Sequence, residues 1–281
     1  MIIKRHRNPV SRGLIYVVVG AFLLVQVYPI AWVLMSSFKT PEQLAGTPAY
    51  APPTQFYIGN FVRAFEQADL LAYLLNSTLV ALLTIGLTIA IGAPAAYAIE
   101  KLRIRGGRLV LGYLLLGITV PVFVALLPMF QTFNAVGLRD TYWALVIPQV
   151  GFNLPLCVYL YSGFMRYIPD SLIEAATIEG AGRFRVFISL VFPMSLNTTI
   201  TIIAYNFVFV WNEFVFANTF LSEPRMKTLP VGLNDYVGVM GQTDFGATYA
   251  AIVVAIVPTL VLYFFLNRRV IDGMAAGAVR G

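Results

Sequence analysis

Six long apolar segments constrain the fold of this chain more than any other feature. Each is long enough to cross about 30 Å of hydrocarbon as a helix. Backbone polar groups inside lipid must be bonded internally, and a helix achieves this within a single segment. The sequence therefore predicts an all-α integral membrane protein with six transmembrane helices. The segments are Leu14–Met35, Leu74–Ile99, Leu109–Phe130, Tyr142–Phe164, Met194–Phe216 and Ala247–Leu266.

Composition agrees with one membrane-embedded domain. Hydrophobic residues make up 59% of the 281 residues and charged residues 11%, whereas a soluble domain carries about 25% charged residues. Because nearly every residue falls in a span or a short loop, we expect a single transmembrane domain over residues 1–281. Prolines recur within the spans, where each removes a backbone donor and favours a bend. Bent helices suit a pathway that opens on alternate sides, but they also occur in static bundles.

The basic residues predict the orientation of the chain. Most of the 19 lysines and arginines lie in the amino-terminal arm, the second and fourth loops and the tail. The side of a membrane protein richer in these residues is the cytoplasmic side. We therefore expect both termini and the fourth loop in the cytoplasm. The net charge of +6 is dispersed among the loops, which indicates membrane orientation rather than a nucleic-acid partner.

The sequence contains no recognisable catalytic or metal-binding motif. It has no paired carboxylates within a span and no phosphate-binding loop of the form GxxxxGK[ST]. Its single cysteine, Cys157, and its single histidine, His6, are too few for a metal cluster. We expect no catalytic residue, no metal and no cofactor on this chain. If ATP drives this protein, another chain must bind it.

The fourth loop, Ile168–Pro193, is the most informative segment. Ser171 stands three residues before Glu174, which is the spacing of a helix capping box. Small residues follow, and Gly180 is expected either to end the helix in a left-handed conformation or to permit close approach of another backbone. The pattern predicts a short, thin helix between the fourth and fifth spans.

The order of Glu174, Ala175, Ala176, Gly180 and Pro193 resembles the EAA signature of ABC importer permeases. In that family the loop is a cytoplasmic coupling helix that docks into a groove on a separate ATPase. The resemblance therefore implies that these five residues serve ATPase coupling. The alternative is an ordinary interfacial helix. We call this segment the EAA loop.

The resemblance extends over nearly the whole chain. Asn134–Arg185, the WNEF run at Trp211–Phe214 and the closing GAVRG are similar to the maltose-transporter-type permease subunits of carbohydrate-importing ABC systems. Glu179 and Arg280 stand where the family commonly has Asp and Lys, and both changes preserve charge. The family implies a bacterial or archaeal cytoplasmic membrane and a carbohydrate substrate. It also implies a second homologous permease subunit, two ATP-binding cassette subunits that carry ATP and Mg, and an extracytoplasmic solute-binding protein.

Four polar or aromatic residues are candidates for the substrate pathway. Glu213 is the only acidic residue well inside a predicted span, where a charge usually faces a cavity or a partner. Trp211 and Asn212 precede it, and an aromatic face with amide and carboxylate groups suits a sugar ring. The alternative places Trp211 and Glu213 in the outer interfacial belt. Asn153 in the fourth span is the remaining candidate, and a lone amide there also serves helix–helix contact.

Three other functions remain open from the sequence. An ion-coupled secondary sugar transporter would need carboxylates or histidines within the membrane. Glu213 alone is weak evidence for such an ion-coupling site. An ABC permease for a non-sugar solute such as glycerol phosphate would share the EAA loop. A membrane receptor or scaffold would not need it.

Overall fold

The computed structural model is helical throughout the part of the chain that it describes. The backbone is described for residues 9–237 and 243–278, and the side chains for residues 13–237 and 243–265. No β-strand occurs in those ranges. The α-helices are α1 Pro9–Ser37, α2 Pro41–Gly46, α3 Gly59–Gln67, α4 Leu70–Glu100, α5 Gly107–Gly117, α6 Val122–Ala135, α7 Tyr142–Met165, α8 Asp170–Ile178, α9 Arg183–Val186, α10 Phe192–Met194, α11 Leu196–Trp211, α12 Val215–Phe220, α13 Leu229–Gly232 and α14 Phe245–Ala278.

Helix length and apolar composition give the predicted number of spans. Four single helices are long and apolar enough to cross a membrane: α1, α4, α7 and the Phe245–Phe265 part of α14. Two helix pairs qualify as broken spans, namely α5 with α6, bent by 93°, and Arg183–Met194 with α11, bent by 71°. If each bent pair counts as one span, the described residues supply six.

The third and fifth segments are not the continuous helices that the sequence suggested. Pro121 precedes α6 as its N-cap. Proline lacks an N–H and disfavours helical backbone in the residue before it, so the segment Leu109–Phe130 divides into α5 and α6. The segment Met194–Phe216 divides at residues 212–214, between α11 and α12. Other prolines, such as Pro155 in α7, lie within uninterrupted helices.

The chain forms two compact units, residues 1–68 with 235–254 and residues 69–234 with 255–281. This division does not test the expectation of one domain, which stays a prediction. Buried and half-buried polar groups bond within the first unit. The Nδ2 of Asn60 donates to the carbonyls of Ser37 and Lys39, both at 2.8 Å. Arg63 Nε lies 2.7 Å from Asp244 Oδ2.

The second unit is built around α4 and α7, which run parallel. Tyr142 donates to Asn76 at 2.8 Å near the start of both helices, and Arg166 lies 3.3 Å from Glu100 near their ends. A Cβ added at Gly92 would lie 2.5 Å from Cys157 Sγ. The absent side chain at this glycine therefore allows the two helices to approach closely.

Opposite ends of the second unit carry different loops. The turn after α4 meets the EAA loop at one end, where Lys101 Nζ lies 2.8 Å from Asp170 Oδ1. The other end joins the turn before α7 to the segment after α12, where Asp140 Oδ1 accepts the backbone N–H of Glu223 at 2.9 Å. This placement of the second and fourth loops at the same end agrees with the alternation that the sequence predicted.

Candidate functional site

The EAA loop forms a short helix whose start differs from the prediction. The helix α8 begins at Asp170, directly after Pro169, and no side chain caps it. The expected capping box of Ser171 and Glu174 is therefore wrong, because both residues already lie inside the helix. Proline is well suited to this boundary because it cannot donate to a preceding turn. Asp170 in the first turn places a negative charge at the positive end of the helix dipole.

The carboxyl end of α8 is as expected. Gly180 has φ +87°, the left-handed conformation that glycine adopts without steric cost. The N–H of Gly180 donates to the Thr177 carbonyl at 3.0 Å, and the N–H of Ala181 donates to the Ala176 carbonyl at 2.9 Å. These two bonds are the pattern of a Schellman motif. They satisfy carbonyls that would otherwise be left free where the helix stops.

One face of α8 packs on the protein and the other is free. Ile173 and Ala176 pack against the buried cluster that includes Met165 and Ile168. Glu174, Ala175 and Gly180 are exposed, and so is Pro193 further along the loop. Of the five residues predicted for ATPase coupling, only Ala176 is half-buried. The remaining four are accessible to a partner.

Two exposed apolar side chains extend this free surface and were missed in the sequence. Ile178 is 87% exposed and Phe184 is 75% exposed. Contiguous exposed apolar surface of this kind marks interaction sites, whereas single exposed apolar residues are ordinary. The loop contains several apolar residues, so the sequence alone did not indicate which of them the fold leaves uncovered.

A buried lysine anchors the start of the EAA loop. The side chain of Lys101 is only 4% exposed, and its Nζ donates to the Ile168 carbonyl at 2.6 Å and to Asp170 at 2.8 Å. Arg103 reaches the other oxygen of Asp170 at 2.6 Å. The hydrogen bond and charge of Lys101 hold the pKa of Asp170 below its usual value of 3.8, and Arg103 acts in the same direction. The loop is therefore fixed to the end of α4.

Pro193 lies at an irregular turn that leads into the fifth span. Residues Phe187–Val191 form a π-helix, and the N–H of Phe192 bonds to the carbonyl of Phe187, five residues back. Pro193 cannot donate to the carbonyl four residues before it, which is consistent with a widened turn at this point. Such π-helical turns often occur at functional positions. Ser195, just beyond, donates its hydroxyl to the Val191 carbonyl at 2.8 Å.

Glu213 occupies a helix break, and the prediction that it lies in a continuous span is wrong. Its carboxylate accepts the backbone N–H of Phe216 at 2.7 Å and of Ala217 at 3.1 Å. It therefore satisfies free donors at the start of α12, as an N-terminal cap does. Trp211 is 4% exposed, and its indole N–H donates to the Ala255 carbonyl at 3.1 Å.

The two amide candidates differ in exposure. Asn212 is exposed and donates to the Val208 carbonyl at 2.8 Å. Asn153 is half-buried and donates to the Gln149 carbonyl at 2.7 Å, within its own helix. In the described part of the chain, no hydrogen bond joins Asn153 to the other three candidates. The closing residues 279–281, including Arg280, lie outside the described residues.

The family of the chain is shown by comparison with known proteins. The family described as binding-protein-dependent transport system inner membrane component matches residues 86–275. The sulfoquinovosyl glycerol transport system permease protein SmoH of Agrobacterium fabrum is 33% identical, over 96% of this chain and 95% of that protein. The diacetylchitobiose uptake system permease protein NgcG of Streptomyces coelicolor is 32% identical, over 92% of this chain and 85% of that protein.

The fold has a relative among solved structures. A chain of a bacterial ABC transporter involved in the import of the acidic polysaccharide alginate superposes with a TM-score of 0.82 at 19% identity, covering 95% of this chain and 99% of that one. At that identity the likeness concerns the fold. The family match and the two relatives carry the assignment. This multi-pass protein of the cytoplasmic membrane therefore belongs to the inner membrane components of binding-protein-dependent transport systems.

Proposed function

We propose that this chain is a permease subunit of an ATP-driven importer for a sugar or related carbohydrate. The observation that carries the proposal is the EAA loop, which has one face packed on the protein and one free face with Glu174, Ala175 and Ile178. A short helix presented in this way suits a groove on another subunit. The subunits expected to bind it are two ATP-binding cassette subunits, which would hold the ATP and Mg.

Force on the EAA loop would reach the spans through defined contacts. Lys101 ties the start of the loop to α4, and Tyr97 of α4 donates to the Arg183 carbonyl at 3.2 Å. A displacement of α8 would therefore move α4 with it rather than bend a loose connection. ATP binding drives such a change only if the ATPase subunits have different affinities for the two permease states.

The basic loops support the orientation that this role requires. The turn after α4 carries Lys101 and Arg103 at the same end of the second unit as the EAA loop. Because excess lysine and arginine mark the cytoplasmic side, we assign that end and both termini to the cytoplasm. A second homologous permease would complete the pathway, and an extracytoplasmic solute-binding protein would deliver the substrate. The family description itself names dependence on a binding protein.

The substrate class is inferred from the relatives. One is named for diacetylchitobiose, one for sulfoquinovosyl glycerol, and the solved structure for alginate. All three compounds carry sugar rings, while their charges and sizes differ. We therefore assign a carbohydrate or a sugar-containing solute and no individual compound.

For the substrate pathway, we assign different roles to the candidate residues. Asn212 is exposed and has an amide oxygen suited to accept a sugar hydroxyl. Glu213 and Trp211 are engaged within the chain, as a helix cap and as a donor to Ala255. They would act by fixing the helix break that presents Asn212. Asn153 is the second amide proposed for the pathway.

The decisive experiment tests the docking face of α8. The full chain is co-expressed with its partner permease and ATPase subunits, and ATPase recovery on the tagged permease is measured together with sugar uptake in proteoliposomes. Glu174→Lys and Ile178→Ser are each expected to lower ATPase recovery by about tenfold, since interface anchors contribute about 1–2 kcal/mol or more. Glu66→Lys, a charge reversal at an exposed residue of α3, is the matched control. Full recovery in both α8 variants, or uptake that continues without ATP, would contradict the proposal.

A further inference from the structure

A cavity of about 570 Å³ lies beside the turn between α4 and α5, and it is not part of the docking face of α8. We call it the basic cavity because four of its lining residues are cations and two are anions. They are Glu100, Lys101, Arg103, Arg108, Arg166 and Asp170. The cavity therefore has an excess of positive charge, and an anion is the ligand class that this charge favours.

The charges in the basic cavity are unevenly paired. Lys101 and Arg103 both contact Asp170, and Arg166 contacts Glu100. The side chain of Arg108 has no hydrogen bond or ion pair to any described residue. The residue is exposed, so its guanidinium keeps its full set of donors. A guanidinium with free donors is the group that binds phosphate oxygens most effectively, often through two hydrogen bonds.

The first turn of α5 adds to this preference for an anion. Gly106, the residue before α5, has φ +79° and provides no side-chain cap. The residue before the helix therefore leaves its free N–H groups uncapped, and the positive end of the helix dipole lies next to Arg108. This feature strengthens the site that the cationic side chains form.

An apolar stripe begins at the rim of the cavity. Leu109 lines the cavity and is 79% exposed, while Tyr113 and Leu116 are 77% and 64% exposed. These residues follow one another at helical spacings of four and three, so they share one face of α5. The helix α5 belongs to a candidate membrane span. A ligand with both a phosphate and hydrocarbon chains matches a basic cavity that continues into this stripe, whereas a free phosphate would leave the stripe unused.

We propose that the basic cavity binds the phosphate of an anionic phospholipid, with the acyl chains lying along Leu109, Tyr113 and Leu116. The lipid belongs to the leaflet on the side of the EAA loop, since Arg166 and Asp170 flank the start of that loop. Basic pockets at membrane-spanning helices bind anionic headgroups in this manner. The bound phosphate links the turn between α4 and α5 to the segment that precedes α8.

The test compares two neighbouring arginines by native mass spectrometry of the full chain in detergent. The probes are phosphatidylglycerol, phosphatidylcholine and glycerol 3-phosphate. Arg108→Gln removes the unpaired guanidinium of the cavity, and Arg105→Gln removes an exposed charge in the same turn that does not line it. We expect Arg108→Gln to weaken phosphatidylglycerol binding by about tenfold, the effect of one charge-assisted hydrogen bond, and Arg105→Gln to weaken it less than about twofold.

The remaining probes separate the sources of phosphate. Phosphatidylcholine is expected to bind weakly and with no difference between the two variants, because its headgroup has no net charge. Leu109→Ser should weaken phosphatidylglycerol binding but not glycerol 3-phosphate binding. Equal losses in both arginine variants, or equal binding of the two lipids, would overturn the proposal. So would glycerol 3-phosphate binding as tightly as the lipid, because the site would then hold a soluble phosphate. The Arg108 side chain has no partner within the described chain, so we expect its replacement to leave the fold intact.

Discussion

Lys101 and Asp170 form an ion pair, 2.8 Å between Nζ and Oδ1, that fastens the first residue of α8 to the end of α4. The lysine side chain is almost completely buried, whereas the aspartate remains half exposed. The lysine also bonds to the Ile168 carbonyl. One side chain therefore fixes both the loop backbone and the helix start.

Removing this anchor should loosen the EAA loop. Lys101→Met leaves the Ile168 carbonyl without its donor, so we expect the unfolding temperature in detergent to fall by a few degrees and substrate-stimulated ATPase activity of the assembled complex to fall with it. Arg103→Gln is the matched control, because Arg103 contacts the same carboxylate but is 73% exposed, and exposed pairs contribute little. Equal losses in the two variants would show that the buried lysine has no special role.

Two substitutions at Gly180 distinguish its two possible roles, which are the left-handed backbone conformation and the close approach of a partner's backbone. Its φ of +87° is unfavourable for a branched side chain by about 1–2 kcal/mol, and among the described residues other than its two chain neighbours no atom lies within 4 Å of an added Cβ. Gly180→Leu is expected to reduce uptake, while Gly180→Asn should retain most of it because asparagine tolerates this conformation. Uptake by both variants at equal expression provides the measurement. Loss in both would mean that a partner needs the bare backbone.

The contact between α4 and α7 depends on a missing side chain. A Cβ at Gly92 would lie 2.5 Å from Cys157 Sγ, so Gly92→Ala should destabilise the protein by about 1–3 kcal/mol through overpacking. Cys157→Ala removes the clashing sulfur, and the double variant should recover most of the loss. Unfolding temperatures of the three variants in detergent test this coupling. Additive losses would place the strain elsewhere.

The ion pair of Arg63 with Asp244 should give stability that depends on pH. The hydrogen bond from Arg63 holds the pKa of Asp244 below its usual value of 3.8, so the pair stabilises the fold above the unfolded-state pKa and loses this effect as the pH falls through the lowered value. The unfolding temperature of Asp244→Asn should lie below that of the unmodified protein between about pH 5 and 7, and the difference should shrink as the pH falls through the lowered pKa of Asp244. A difference that grew on acidification would contradict this sign.

Substitutions of Asn212 and Glu213, the two residues at the helix break, should have different effects on uptake and on stability. Asn212→Ala removes an exposed amide, so we expect lower uptake at an unchanged unfolding temperature. Glu213→Gln keeps one acceptor oxygen but loses the charge that bonds two backbone donors, and caps of this kind are worth about 1 kcal/mol. Its unfolding temperature and its uptake should both fall. An unchanged unfolding temperature in Glu213→Gln would rule out the capping role.

Some features of the EAA loop could be predicted from the sequence and others could not. The residues from Glu174 to Gly180 predicted a short helix, which is confirmed. Gly180 was expected either to end the helix in a left-handed conformation or to permit close approach, and the left-handed end is confirmed. The start of the helix was predicted wrongly. Ser171 and Glu174 have the spacing of a capping box, but the helix begins at Asp170, directly after Pro169, so both residues lie inside it. The anchoring by Lys101 was not predicted either, since its partner lies 69 residues away in the chain.

The amino-acid sequence is sufficient to predict a helical chain with several membrane spans and a loop of the EAA type. Hydrophobic segments, basic loops and helix-ending glycines are local properties of the sequence. They can be recognised without knowing which distant residues are in contact. The positions of the helix breaks and the hydrogen-bond partners of the side chains follow from the fold and could not be predicted. Glu213 is an intramembrane charge in the sequence but a helix cap in the fold, and Trp211 is an aromatic candidate in the sequence but a buried donor to Ala255 in the fold. The partner of a hydrogen bond depends on how distant segments pack, and a linear pattern does not contain that information.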